Sequence, residues 1–274
     1  MRSILKAIII TLCLLVKTYL SYSENTGTNI NHILVLNAYS SSNPWSNSFI
    51  TPIVNMASQN KQIGVYVENL NMLTLQDAEA RKNLKKDILS EVYSYSPKVI
   101  VLIGNASFIL HDELNRRWPD IPMILCGERD YTGPIDSIIQ GHPLTEEERI
   151  PINSLQDKYN LTMMQANIYM EENLQLMKQL IPQMDKVIYI GDETYICQQN
   201  DYDLSKLIRE KYPEMGYEFI SAKNTSTDSL FSILNQQDLQ TTGILFSSWL
   251  RAKDYNGNTV LISNSHRIIA TSSM

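Results

Sequence analysis

The chain has 274 residues, 43% of them hydrophobic and 19% charged, which is enough to bury about two ordinary cores and excludes a disordered polymer. Its formal net charge of −6 excludes the basic footprint of a nucleic-acid binder. Three cysteines and four scattered histidines exclude a disulfide framework and a zinc cluster.

The first residues read as a targeting segment. Arg2 and Lys6 precede a short apolar run, Ala7 to Val16, and a small polar stretch, Thr18 to Ser23. This is the layout of a secretory signal over residues 1–23, with an uncleaved N-terminal anchor as the alternative. Leu12 stands before Cys13, where a lipoprotein signal wants a small residue. Loss of residues 1–23 removes three cations and no acid, taking the balance from −6 to −9. Nothing after Ser23 reaches the run of about 18 apolar residues that marks a membrane span.

Strands and helices then alternate. His32–Asn37 reads as a buried strand, followed by a polar aromatic loop, Ala38-Tyr39-Ser40-Ser41-Ser42-Asn43-Pro44-Trp45-Ser46. Ser46 is placed to cap a helix over 47–60, in which Pro52 delays the start or kinks the axis. Residues 62–69 are β-branched and aromatic and read as a strand. Over 78–95 the apolar positions Leu84, Ile88, Leu89 and Val92 recur at helical spacing, and Pro97 follows. Residues 98–103 form a Val/Ile/Leu run of the kind buried on both faces of a parallel sheet. A short helix over 106–117 and a strand over 121–126 complete the first half.

Residues 127–165 break this rhythm, with Thr145-Glu146-Glu147-Glu148 as a capped turn. The second half resumes with a helix over 168–181, a strand over 187–190 and a helix over 202–212. A strand over 218–221, a helix over 230–239 and a strand over 243–246 follow, and 260–270 fits helix or strand. Short connections between alternating elements imply right-handed crossovers. The predicted architecture is therefore α/β, with two doubly wound parallel-sheet lobes. The expected division is a signal peptide at 1–23, an N-terminal lobe at 32–135, a crossing segment at 136–165 and a C-terminal lobe at 166–274.

The sequence carries no glycine-rich phosphate loop, no His-Glu-x-x-His and no Gly-x-Ser-x-Gly, so no catalytic residue, metal site or cofactor is assigned. What remains is a set of polar residues just beyond strand ends, where open α/β sheets bind ligands. Tyr39, Ser40, Ser41 and Trp45 follow the first strand; Asn105 and Ser107 follow Ile103; Glu128 follows the Met-Ile-Leu-Cys strand. Asp192 and Thr194 follow Ile190, and Trp249 follows Phe246. These ten are the candidate ligand-binding residues: rings supply area, and hydroxyls, amides and carboxylates supply orientation. Each also has a plain structural role to fill. Asp192 and Ser107 suit helix caps, and Trp45 and Trp249 suit lobe cores. Arg129 suits a surface pair with Asp130 or Glu128. Cys126 and Cys197 either pair in an oxidising compartment or stand as separate thiols.

The opening strand with Ala-Tyr-Ser-Ser-Ser-Asn-Pro-Trp-Ser resembles the start of a group of periplasmic-binding-protein-like domains. These are the sensor domains of bacterial histidine kinases and the related ABC-transporter substrate-binding-like family. Val101-Leu102-Ile103-Gly104-Asn105-Ala106, Ile121 to Gly127, and Leu176 to Pro182 followed by Val187 to Asp192 resemble later strands and the second-lobe entry of the same group. The similarity spans roughly residues 32–270. It implies a type I periplasmic-binding fold and non-enzymatic capture of a small polar ligand outside the cytoplasm. A membrane kinase or a transporter is the partner it suggests. Ala38 stands where the group usually has Ser. Such domains return to the first lobe after the second; the sequence leads us to expect that this return is missing and that the incomplete lobe self-associates. The competing function is a hydrolase or other enzyme on the same scaffold using Asp192 and Glu193 as acid and base.

Overall fold

The computed structural model describes residues 30–72, 83, 90, 96–249 and 253–258. The expected signal at 1–23, nearly all of the expected 78–95 helix and the 260–270 segment lie outside the described residues, and with them the expected missing return.

The first lobe is built on strands β1 (Asn31–Asn37), β2 (Ile63–Asn69), β3 (Pro97–Ile103), β4 (Met123–Gly127) and β7 (Leu161–Gln165), all parallel, in the order β2-β1-β3-β4-β7. Side chains alternate between the two faces of these strands. Leu34, Leu36, Ile100, Leu102 and Leu125 join one core with Phe108, Leu110 and Leu114. Val35, Val101, Ile103 and Cys126 join the other with Ile50, against which Trp45 and Phe49 pack. Burial on both faces is why β3 reads as an unbroken apolar run.

Helix α1 (Pro44–Ser58) starts earlier than the sequence led us to expect. Asn43, not Ser46, is its cap, accepting the Ser46 N–H at 2.9 Å, and Pro44 occupies the first turn, where its missing N–H costs nothing. After β3, a 3-10 helix (Asn105–Leu110) runs into α2 (His111–Arg117).

The expected crossing at 136–165 is more than a crossing. It holds α3 (Ile135–Gln140), the capping-box turn Thr145–Glu148 and α4 (Gln156–Tyr159), and it ends in β7, which pairs with β4. The paired stubs β5 (Tyr131–Thr132) and β6 (Ile150–Pro151) close this excursion into a loop. Its final strand mixes polar and apolar residues (Leu-Thr-Met-Met-Gln) because it lies at the edge of the described sheet and is covered on fewer sides, and that pattern does not read as a buried parallel strand.

The second lobe has β8 (Lys186–Gly191) between β10 (Thr242–Phe246) and β9 (Gly216–Ser221), all parallel. Helices α5 (Met170–Leu180) and α6 (Tyr195–Lys211) cover one face through Leu174, Leu204 and Ile208, and α7 (Thr227–Leu234) covers the other through Leu230 and Leu234. Helix α6 begins seven residues before the expected 202 because the Thr194 hydroxyl caps it, accepting from the Cys197 N–H at 3.3 Å.

Candidate functional site

In both sheets the strand order reverses, although all strands are parallel. In the first, β1 pairs with β2 on one side and β3 on the other; in the second, β8 lies between β9 and β10. The loops beyond such central strands diverge and leave a crevice. A cleft of about 1180 Å³ opens there. The first lobe supplies Ala38, Tyr39, Met72, Ala106 and residues 138–142; the second supplies residues 192–196 and 222–226, with residues 253–255 and Gly257 at its rim.

The walls differ in character. Ala38, Met72, Ala106, Ile138 and Ile139 make the first largely apolar, whereas Asp192, Glu193, Thr194, Asn224, Thr225 and Ser226 make the second polar. Tyr39 is brought close by Gly104, whose φ of +82° suits only glycine and whose hypothetical Cβ would lie 2.8 Å from the tyrosine ring. Burial raises the Tyr39 pKa well above the ordinary phenol value, and the negative charges of Glu128, Cys197 and Asp192 push in the same direction.

Of the ten candidates, Tyr39, Asp192 and Thr194 line the cleft. Asp192 is buried; Oδ1 accepts the Thr194 N–H at 2.9 Å and Oδ2 accepts the Ser248 hydroxyl, tying the end of β8 to the segment after β10. Glu193 pairs with Lys223 at 2.7 Å. The two carboxylates of the enzymatic alternative are thus each engaged with protein partners.

The other candidates are placed elsewhere. Asn105 is buried behind the wall, and its amide clamps the turn after β4. Nδ2 donates to the Arg129 carbonyl at 2.8 Å, while Oδ1 accepts from the N–H groups of Glu128 and Arg129 at 2.9 and 3.1 Å. Ser107 is fully buried and donates to the Gly104 carbonyl at 2.7 Å. Ser40 and Ser42 share a hydrogen bond at 3.0 Å, and the Ser41 carbonyl accepts from Asn47. Trp45 packs edge-on against Tyr39 and Phe49, with ring centroids 5.6 and 5.0 Å away, as part of the core beneath α1. Trp249 is fully buried in the second-lobe core and donates its indole N–H to the Thr227 hydroxyl at 3.2 Å. That placement is a correction to its reading as a cleft residue: α7 folds over the chain leaving β10 and covers the ring. Glu128 is half-buried; its Oε2 has no hydrogen-bond partner among the described residues, and burial pushes its carboxyl up to about 7 against the opposing pull of Arg129.

Sequence reasoning missed the 222–226 segment, although it follows β9 as the other clusters follow their strands. It also missed residues 138–142 of the excursion loop. Gly141 adopts φ +72°, and a Cβ there would lie 2.5 Å from the Glu193 carbonyl, so a first-lobe turn abuts the second lobe directly. Only Gly141 itself hinted at this. Arg129 does not form the expected surface pair; it reaches Asp203 across the lobes at 3.2 Å. Cys126 and Cys197 are free and buried in different lobes. No group of metal-ligating side chains occurs among the described residues, and none of their helices is long and apolar enough to cross a membrane.

Two parallel α/β lobes with a cleft at their facing strand ends define the type I periplasmic-binding-protein-like fold. Among solved structures, the chain is similar to the ABC domain from Streptococcus pneumonia determined in complex with L-Trp. The TM-score is 0.52 at 12% identity, over 89% of this chain and 71% of that one. It is also similar to an uncharacterized protein from Actinobacillus succinogenes, with TM-score 0.50 at 12% identity over 80% and 68% of the two chains. No protein-family model and no curated protein matches the sequence. The resemblance drawn from the strand-end motifs thus holds at the level of the fold.

Proposed function

We propose that the chain is a non-enzymatic binding domain that captures a small molecule outside the cytoplasm. The carrying observation is the cleft into which the strand ends of both sheets open, with Tyr39 on one side and Asp192, Thr194 and Asn224 on the other. A largely apolar wall facing a polar wall suits a ligand with one apolar face and one edge of hydrogen-bonding or charged groups. The streptococcal chain of the same fold holds L-Trp, so amino acids with large side chains lead the screen, followed by sugars. The finer reading is the sensor of a two-component receptor, or a solute-binding protein, working with a membrane kinase or a transporter. Its support is the sequence resemblance and the signal-like residues 1–23. On this reading the lobes move about the connecting segments when the ligand binds.

The test is a thermal-shift screen of residues 24–274 against amino-acid and sugar pools. A ligand at one hundred times its dissociation constant stabilises by about 2.7 kcal/mol. The hit must lose its effect in Tyr39→Ala or Asn224→Ala. A folded sample that no pool stabilises would sink the proposal.

A further inference from the structure

A densely bonded contact between the lobes lies outside the cleft wall, on α6. Leu204 and Ile208 hold α6 to the second lobe, but Gln199, Asn200 and Asp203 on the same helix bond to the first. Asp203 sits between two guanidinium groups of the excursion loop. Oδ1 accepts from Arg149 Nη2 at 2.6 Å, and Oδ2 lies 3.2 Å from Arg129 Nη1. Side-chain exposure is 17% for Asp203, 13% for Arg129 and 20% for Arg149, so this is a largely desolvated triad rather than a surface pair.

The surroundings complete it. Arg129 also donates to the Asn200 side-chain oxygen. The Arg149 guanidinium lies over the Tyr131 ring, 4.5 Å from its centroid, and the Tyr131 hydroxyl donates to Asp203 at 3.4 Å. Gln199 accepts the Leu144 N–H at 2.7 Å and returns its amide to Asp203 at 3.2 Å. One carboxylate is therefore shared by two arginines, and among the described residues its side-chain partners other than Gln199 belong to the other lobe.

The triad joins the two elements that carry the cleft walls. Helix α6 presents Tyr195 and Ile196 of its first turn to the cleft. Between Arg129 and Arg149 the first-lobe loop carries α3 and the turn after it, whose residues 138–142 form the opposite wall. We infer that Asp203 is a positioning residue: it pins α6 to the excursion loop and so sets the separation of the lobes, and with it the width of the cleft, without any ligand present. Taking the carboxylate away leaves two largely buried first-lobe cations facing α6 with no counter-charge, a state that favours separation. The inference concerns the lobes alone and stands whether or not the cleft binds the ligand proposed above.

Double electron–electron resonance on the full chain carrying Cys13→Ser tests it, with nitroxides at Gln59→Cys on the first lobe and Gln236→Cys on the second. Both sites are exposed, while Cys126 and Cys197 are 3% and 2% exposed and escape labelling. The parent should give one narrow interlobe distance. Asp203→Asn should broaden that distribution about twofold or shift it to longer distance, as expected of a freed hinge, and Asp203→Glu should restore it. A distribution for folded Asp203→Asn that superimposes on the parent overturns the inference. If Asp203→Asn does not fold, Arg149→Gln removes half of the pin while leaving Arg129 and Asp203 balanced. An unchanged distance there overturns it equally.

Discussion

Asn105 and Arg129 exchange two hydrogen bonds through one side-chain amide: Nδ2 donates to the Arg129 carbonyl at 2.8 Å, and Oδ1 accepts the Arg129 N–H at 3.1 Å. The same oxygen takes the Glu128 N–H, so one buried amide fixes the turn from which Arg129 crosses to the second lobe. Asn105→Ala strands several backbone groups at once and should cost about 2–3 kcal/mol in denaturant unfolding. A loss under half a kcal/mol would mean that water replaces the clamp.

Glu128 should make stability depend on pH. Burial holds its folded-state pKa near about 7, above the 4.5 of a free glutamate. The folded protein thus keeps a proton that the unfolded chain releases. The sign follows: the contribution is fully present below about pH 4.5 and is lost as pH rises to about 7. Glu128→Gln cannot ionise, so it should gain on the parent across that window, reaching on the order of 3 kcal/mol at pH 8. Parallel unfolding curves at pH 5 and pH 8 for both proteins check this; a constant difference between them would refute it.

The two tryptophans should behave differently from each other. Trp249→Ala removes a fully buried ring and its bond to Thr227, and should destabilise by about 3–5 kcal/mol. Trp45 is half-buried against Tyr39 and Phe49, so Trp45→Ala should cost about 1–2 kcal/mol and, through Tyr39, loosen one wall of the cleft. Trp45→Phe should recover most of that loss. Equal effects of the two alanine variants on melting temperature would contradict this assignment.

Cys126 and Cys197 should resist thiol reagents. Both are buried, and burial raises both pKa values, with Asp192 adding to the effect at Cys197. Residues 24–274 should therefore release no chromophore from a disulfide reagent when native and two equivalents when unfolded. Rapid native reaction at either thiol would show that its lobe opens.

Much of the local structure was legible in the chain itself. Unbroken apolar runs such as Val99–Ile103 and Val187–Ile190 mark strands buried on both faces, because a parallel sheet covered by helices leaves no polar side. Strand ends open onto the crevice of such sheets, so the placement of Tyr39, Asp192 and Thr194 along the cleft could be read from position alone. Thr145 and Glu148 announced their turn by local hydrogen bonding, which needs no tertiary partner. Other features depend on what folds against what. Trp249 and Tyr39 both follow strands, yet one is covered by α7 and the other faces the cleft. The partners Arg129 and Asp203 are 74 positions apart, and their charges fit many pairings equally well until two lobes bring them within 3.2 Å. Edge strand β7 was unreadable because its mixed polar and apolar pattern is a response to exposure, and exposure is decided only when the sheet is assembled. Local pattern determines which segments become strands and helices, since it acts through the backbone and near neighbours. Which polar side chains bind, clamp or pin is decided by desolvation and charge pairing across the finished interface, and those forces exist only in three dimensions.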